Sequence, residues 1–187
     1  MKRIATRSAN VALMFAFGAA SVYAQHVPLA LSFSGTEVNS PINLGPGVFA
    51  SDNTFIGSGT LGSFTFHAIE GSAVPPGNCP ATNHPYAGGG VFRFEDGSLL
   101  MVNLIQGSDC LQFTPTGPVA HCTRTYQVIG GTGRLKNASG GTIGLTGTVL
   151  AVLFDATNNP ALFATTGNMT GIISGVAIAA EPQGAGQ

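Results

Sequence analysis

In this 187-residue chain the side chains able to do chemistry are few: three cysteines, four histidines and a handful of charges set in neutral strands. The segment 118–129 is the most informative. His121, Thr123, Thr125 and Gln127 alternate there with Cys122, Arg124, Tyr126 and Val128. A period of two turns the first set to solvent and the second inward. An inward guanidinium needs a counter-charge or acceptors, because an unpaired buried charge is very costly. Arg93 and Glu95 share one face of an upstream segment, opposite Phe92 and Phe94. An Arg124–Glu95 or Arg93–Glu95 pair is therefore expected. Such a pair is structural in the first instance and, where it lines a lumen, is the first place to look for ligand recognition. Arg124, Tyr126, Arg93 and Glu95 are the candidate ligand-binding residues.

Cys79, Cys110 and Cys122 belong to a chain expected to enter an oxidising compartment, where pairing is the rule. A hairpin centred on Thr116 places residue 114 opposite 118 and hence Cys110 opposite Cys122. Such a staple is worth about 3 kcal/mol, the value for a loop of about 15 residues. Cys79 linked to either of the two is the alternative; left unpaired, it reads as an odd surface thiol rather than a nucleophile. The histidines, His26, His67, His84 and His121, form no H-x-H or H-E-x-x-H pattern. Nothing in the spacing of His84, Cys79, His121 and Cys122 brings them to within about 2 Å of one ion, so no metal and no cofactor is expected. No Ser-His-Asp set, paired-carboxylate motif or nucleotide fingerprint is present, and the catalytic residues, if any, are unknown.

The N-terminus carries an address. Lys2, Arg3 and Arg7 precede an apolar run from Val11 to Ala20, and Val22-Tyr23-Ala24 offers small residues for a signal peptidase. Cleavage is expected between Ala24 and Gln25, because the run is shorter than the roughly 20 residues that span a bilayer. The mature chain then keeps Arg93, Arg124, Arg134 and Lys136 against eight carboxylates, a formal charge of −4. Nucleic acid as a partner is excluded by the lack of a cationic surface. An anionic membrane surface is disfavoured for the same reason. The protein is expected to be secreted or periplasmic, with no membrane insertion after cleavage.

The elements that must position these residues read as strands. After residue 25 no long window shows helical periodicity, while alternation recurs. Expected strands are 27–36, 53–59, 61–70, 90–95, 98–107, 109–114, 118–129, 140–154 and 161–179, the last as one strand or two. Asp96-Gly97 is the clearest short hairpin signal. Residues 71–90 read as one long irregular loop, and 181–187 as a frayed tail. Many short strands at even spacing indicate a sandwich or barrel. In 98–107, Leu100, Val102 and Leu104 take one face and Leu99, Met101 and Ile105 the other. A barrel whose outer wall is covered, by its own chain or by a second subunit, accommodates both faces; hence the expectation of a homo-oligomer. The reading is all-β: a single antiparallel barrel of about eight strands over 25–180, after a signal peptide at 1–24.

From Tyr126 the chain runs Tyr-Gln-Val-Ile-Gly-Gly-Thr-Gly-Arg-Leu-Lys-Asn-Ala-Ser-Gly into a return strand, downstream of Glu95-Asp96-Gly97-Ser98-Leu99. This resembles the allene-oxide-cyclase-like and dirigent-like β-barrels over residues 90–150. The resemblance implies an eight-stranded barrel around an apolar lumen, with small-molecule cyclisation or radical coupling in some members. It carries no acid or base of those activities onto a position here. From the residues alone, Gly130, Gly131 and Gly133 permit the strand reversal, and the absence of a following helix argues against a phosphate-cradling loop.

The expected function is therefore an exported barrel that binds a small apolar molecule or serves as a structural surface component, without catalysis. The alternative is a cyclase- or dirigent-like enzyme that steers a reactive small molecule in its lumen.

Overall fold

The structure, a computed structural model, describes residues 26–73, 82–115, 117–158 and 160–176. The expected signal peptide, the C-terminal tail and Cys79 lie outside these residues. Eight strands form a closed antiparallel barrel in chain order: β1 (His26–Asn39), β2 (Phe49–Gly59), β3 (Gly62–Ala73), β4 (Thr82–Phe94), β5 (Leu99–Thr114), β6 (Gly117–Gly131), β7 (Thr142–Phe154) and β8 (Pro160–Ser174). β8 returns to β1, with Leu31 opposite Met169. Closure pairs every strand on both sides and leaves no edge.

Alternation sets the inside. Along β1, Val27, Leu29, Leu31 and Phe33 are buried and their neighbours exposed. Phe64, Phe66, Phe92, Phe94, Leu100, Val102, Tyr126, Ile143, Met169 and Ile173 fill the same core. The rings run in contact: Phe33 stacks on Phe55 at 4.6 Å, and Phe66 lies 4.3 Å from Phe92. Glycines make room for them. A Cβ on Gly90 would lie 2.6 Å from the Phe66 ring, and one on Gly57 2.8 Å from Phe64. At these inward positions glycine is a packing device, a small residue facing a large one.

Several expected boundaries shift. Segments 98–107 and 109–114 form one strand, β5, interrupted by a register shift between Leu104 and Gln106. Segment 161–179 is one strand that ends at Ser174. The expected loop at 71–90 is largely strand, because β3 continues to Ala73 and β4 starts at Thr82. The Gly130–Gly133 stretch is not a tight reversal. β6 runs to Gly131, one 3-10 turn follows (Gly133–Leu135), and Leu135 and Ala138 are buried against the core. This segment closes the apolar end of the barrel. Arg134 pins it there: its backbone N–H donates to Ser98 Oγ at 3.1 Å, and its guanidinium meets Asp96 at 3.2 Å, the Leu61 carbonyl and the face of Phe94.

Part of the outer wall is covered by the chain itself. Outward Ala50 and Gly71 are buried, and Leu44 and Val48 of the β1–β2 connection lie against Gly71. Elsewhere Val91, Ile105 and Ile129 remain exposed.

Candidate functional site at the polar end of the lumen

Following each inward series away from the aromatic end leads to polar side chains. β1 continues from Phe33 through Gly35 to Glu37; β2 from Phe55 to Asn53 and Ser51; β3 from Ala68 to Glu70. On β6, Tyr126 is followed by Arg124 and Cys122. On β5 the register shift after Leu104 turns Asp109 inward, opposite Cys122. Thr165 arrives from β8, opposite Gly35 and Val149.

Arg124 organises the group. Its Nε donates to Glu70 Oε2 at 2.8 Å, while Nη1 and Nη2 form a fork on Asp109 at 2.6 and 3.1 Å. Nη1 also donates to the Thr123 carbonyl at 2.9 Å. Tyr126 donates its hydroxyl to the second oxygen of Glu70. Arg124, Glu70 and Tyr126 are all nearly inaccessible to solvent. Burial works against the guanidinium's charge, but Glu70 and Asp109 outweigh it and hold Arg124 protonated well above its ordinary range. Burial, reinforced by Glu70, keeps Tyr126 a neutral phenol. Burial raises Asp109 above the usual aspartate value against the pull of Arg124.

Glu37 stands apart from this paired set. Burial is the main reason its carboxyl is raised to about 7; Arg124 opposes the shift, Asp109 and Glu70 add to it, and a hydrogen bond from Ser51 opposes it. Asn53 Nδ2 in turn donates to Ser51 Oγ at 3.3 Å. Glu37, Asn53, Cys122, Arg124, Tyr126, Leu145 and Thr165 share the walls of a cavity with about 10 Å³ open to the centre of a water-sized sphere. That is room for one water molecule. Thr165 Oγ1 is buried on this cavity without a hydrogen-bond partner.

The candidates named from sequence divide. Arg124 and Tyr126 do point inward, on one polar network. Arg93 and Glu95 do not join them: both are exposed on the outside, Arg93 opposite Thr65 and five residues along β3 from Glu70. The expected Arg124–Glu95 pair is replaced by Arg124 with Glu70 and Asp109, and Arg93 makes no ion pair with Glu95 among the described residues. The expected Cys110–Cys122 link is also corrected. The hairpin pairs Thr114 with Gly117, not with residue 118, so Cys110 faces His121 and Cys122 faces Asp109. A slip of one residue puts the two thiols on opposite faces of the wall. Cys122 is free and buried, its thiol pushed up to about 12 chiefly by burial.

Glu37, Glu70, Asp109 and Thr165 were missed. Two of them carried a readable signal: Glu37 continues the inward series of Leu29, Leu31 and Phe33, and Glu70 that of Phe64, Phe66 and Ala68. Among the described residues no three His, Cys, Asp or Glu gather closely enough to hold a metal. No family model, curated protein or solved structure matches the chain.

Proposed function

We propose that this is an exported β-barrel that binds a small molecule at the polar end of its lumen without transforming it. The apolar half of the lumen is occupied by the protein's own rings, so the ligand's apolar body rests at the mouth. There Phe163 lies opposite Glu37, and the ligand's polar head enters the cavity. One observation carries the reading: the partnerless Thr165 hydroxyl on that cavity. A buried polar group left unsatisfied costs about 1–3 kcal/mol, and a bound head group removes that cost. The Arg124–Glu70–Asp109–Tyr126 network holds the wall rigid around it. The basic N-terminus and apolar run support export to the periplasm or beyond. The closed eight-stranded barrel, together with the Gly-Gly-Thr-Gly-Arg segment, supports placing the chain with the allene-oxide-cyclase-like and dirigent-like barrels.

A specific observation favours a second reading. Glu37 titrates at about 7, where a general acid–base works best, so a cyclase-like step on the bound molecule is the alternative. Cys122 fits neither role, because a thiol raised to about 12 is not a nucleophile near neutrality.

Native mass spectrometry of the protein from its own host tests both. One small molecule per barrel, recovered unchanged after incubation, is the result expected for binding. Conversion of that molecule, lost in Glu37→Gln, supports the enzyme instead. A barrel that carries nothing overturns both readings. The same spectra count subunits and test the homo-oligomer.

A further inference from the structure

We propose that the cavity bounded by Glu37, Asn53 and Thr165 is a binding site for a small organic cation, the ammonium head of a primary amine. The inference deepens the small-molecule reading above and rests on it.

Charge comes first. Glu70 (β3), Asp109 (β5) and Glu37 (β1) face the polar end of the lumen, and Arg124 (β6) is the one Lys or Arg there among the described residues. Arg93, Arg134 and Lys136 are exposed elsewhere. Four of the five guanidinium N–H groups of Arg124 go to Glu70, Asp109 and the Thr123 carbonyl. None of these goes to Glu37. The remaining titratable groups facing the cluster are Tyr126 and Cys122 on β6, both held neutral by burial, while His84 on β4 lowers Asp109 through its charge alone. β2, β7 and β8 present no charged side chain inward. With Glu37 ionised, one guanidinium faces three carboxylates, and a buried charge requires compensation.

The hydrogen-bonding inventory points the same way. Thr165 Oγ1 is buried, lacks a partner and lies on the same cavity as Glu37 and Asn53. A carboxylate, a hydroxyl and an amide oxygen are three acceptors, and an alkylammonium has three donors. Size restricts the choice. A cavity that takes one water-sized particle admits an –NH₃⁺ group and excludes a quaternary ammonium. The donor set also disfavours a metal, since the described residues gather no ligand cluster.

Without a bound cation, a proton on Glu37 serves as the compensating charge. When an ammonium binds, the Glu37 O–H bond breaks, the proton leaves to solvent and the carboxylate accepts an N–H from the ligand. Binding therefore strengthens as pH rises through 7 and releases one proton per site below it.

Methylammonium is the probe, with tetramethylammonium and sodium as controls at equal ionic strength. Calorimetry and thermal melting at pH 8 are expected to show methylammonium binding and raising Tm, with neither control doing so. Thr165→Val, which keeps the side-chain volume, and Glu37→Gln should each weaken binding about tenfold or more. Should Glu37→Gln fail to fold, Thr165→Val alone decides. Equal effects of sodium or tetramethylammonium, or undiminished affinity in the folded variants, would overturn the assignment. The parent reading is separable. A neutral molecule retained in native spectra and lost in Thr165→Val, with no methylammonium binding, refutes the cation and keeps the site; no occupant of either kind refutes both.

Discussion

Cys122 lies directly across the β5–β6 ladder from Asp109, inside the barrel and beside the Arg124 network, while Cys110 pairs with His121. The two cysteines nearest in sequence are therefore separated by the wall itself. Thr82, three residues after Cys79, is the β4 partner of Cys110. Should the chain be exported to an oxidising compartment, Cys79 and Cys110 are therefore the pair expected to link. Non-reducing peptide mapping is expected to link those two and to leave Cys122 as the single thiol, unreactive to a thiol reagent until the protein is denatured. A Cys110–Cys122 peptide would refute the register.

Arg124→Leu leaves Glu70 and Asp109 without their cation in a buried site. Breaking one side of such a network costs about 3–5 kcal/mol, and the denaturant midpoint should fall accordingly. Arg124→Lys keeps the charge but loses the fork on Asp109, so it should recover only part of the stability. A midpoint unchanged in Arg124→Leu would mean that the guanidinium is solvated rather than buried.

Glu37 gives the protein a pH slope of definite sign. Its ordinary value is 4.5 and its value in the fold is about 7. Between these values the folded state binds the proton and the unfolded state does not, so stability falls as pH rises from about 4.5 to 7 and levels off above. The whole effect is on the order of 3 kcal/mol, from 1.36 kcal/mol per unit over about 2.5 units. Asp109, also raised, adds to the slope in the same direction. Thermal melts across this range should show the decline, and Glu37→Gln should flatten it. A stability that rises over the window would mean that Glu37 is ionised throughout.

Gly90 tests the small-against-large packing of the apolar half. A methyl there would lie 2.6 Å from the Phe66 ring and 2.8 Å from the Ala68 Cβ. Gly90→Ala should therefore destabilise by about 1–3 kcal/mol, the usual cost of overpacking. Phe66→Leu in the same chain should recover part of that loss, a coupling that a double-mutant cycle measures. Additive losses would place the Phe66 ring elsewhere.

The inward side of the strand around Arg124 was legible, as particular residues show. Arg124 and Tyr126 were read as inward and are buried, and Leu100, Val102 and Leu104, read as sharing one face, are all buried with them. The Asp96-Gly97 hairpin was equally plain, since Gly97 takes the positive φ that its turn requires and Asp96 caps the Ser98 N–H at 3.0 Å. Choosing Glu95 as the partner of Arg124 failed for a physical reason. Alternation had already assigned Glu95 to the face opposite Phe92 and Phe94, which is the outside once the rings fill the core.

The sequence by itself determined an all-β chain of alternating strands punctuated by glycine and, through period-two patterning, the inward side of β6. Those properties are local: each depends on neighbours one or two residues away and on side-chain type. Only the tertiary structure decided which polar residues meet. Glu70 and Arg124 are 54 positions apart and come together because closing the sheet sets β3 and β6 around one lumen. Asp109 reaches the same guanidinium because one irregular step between Leu104 and Gln106 shifts the ladder. Neither curvature nor a bulge is encoded at a single recognisable residue. Both arise from the summed fit of rings, glycines and hydrogen bonds around the whole barrel.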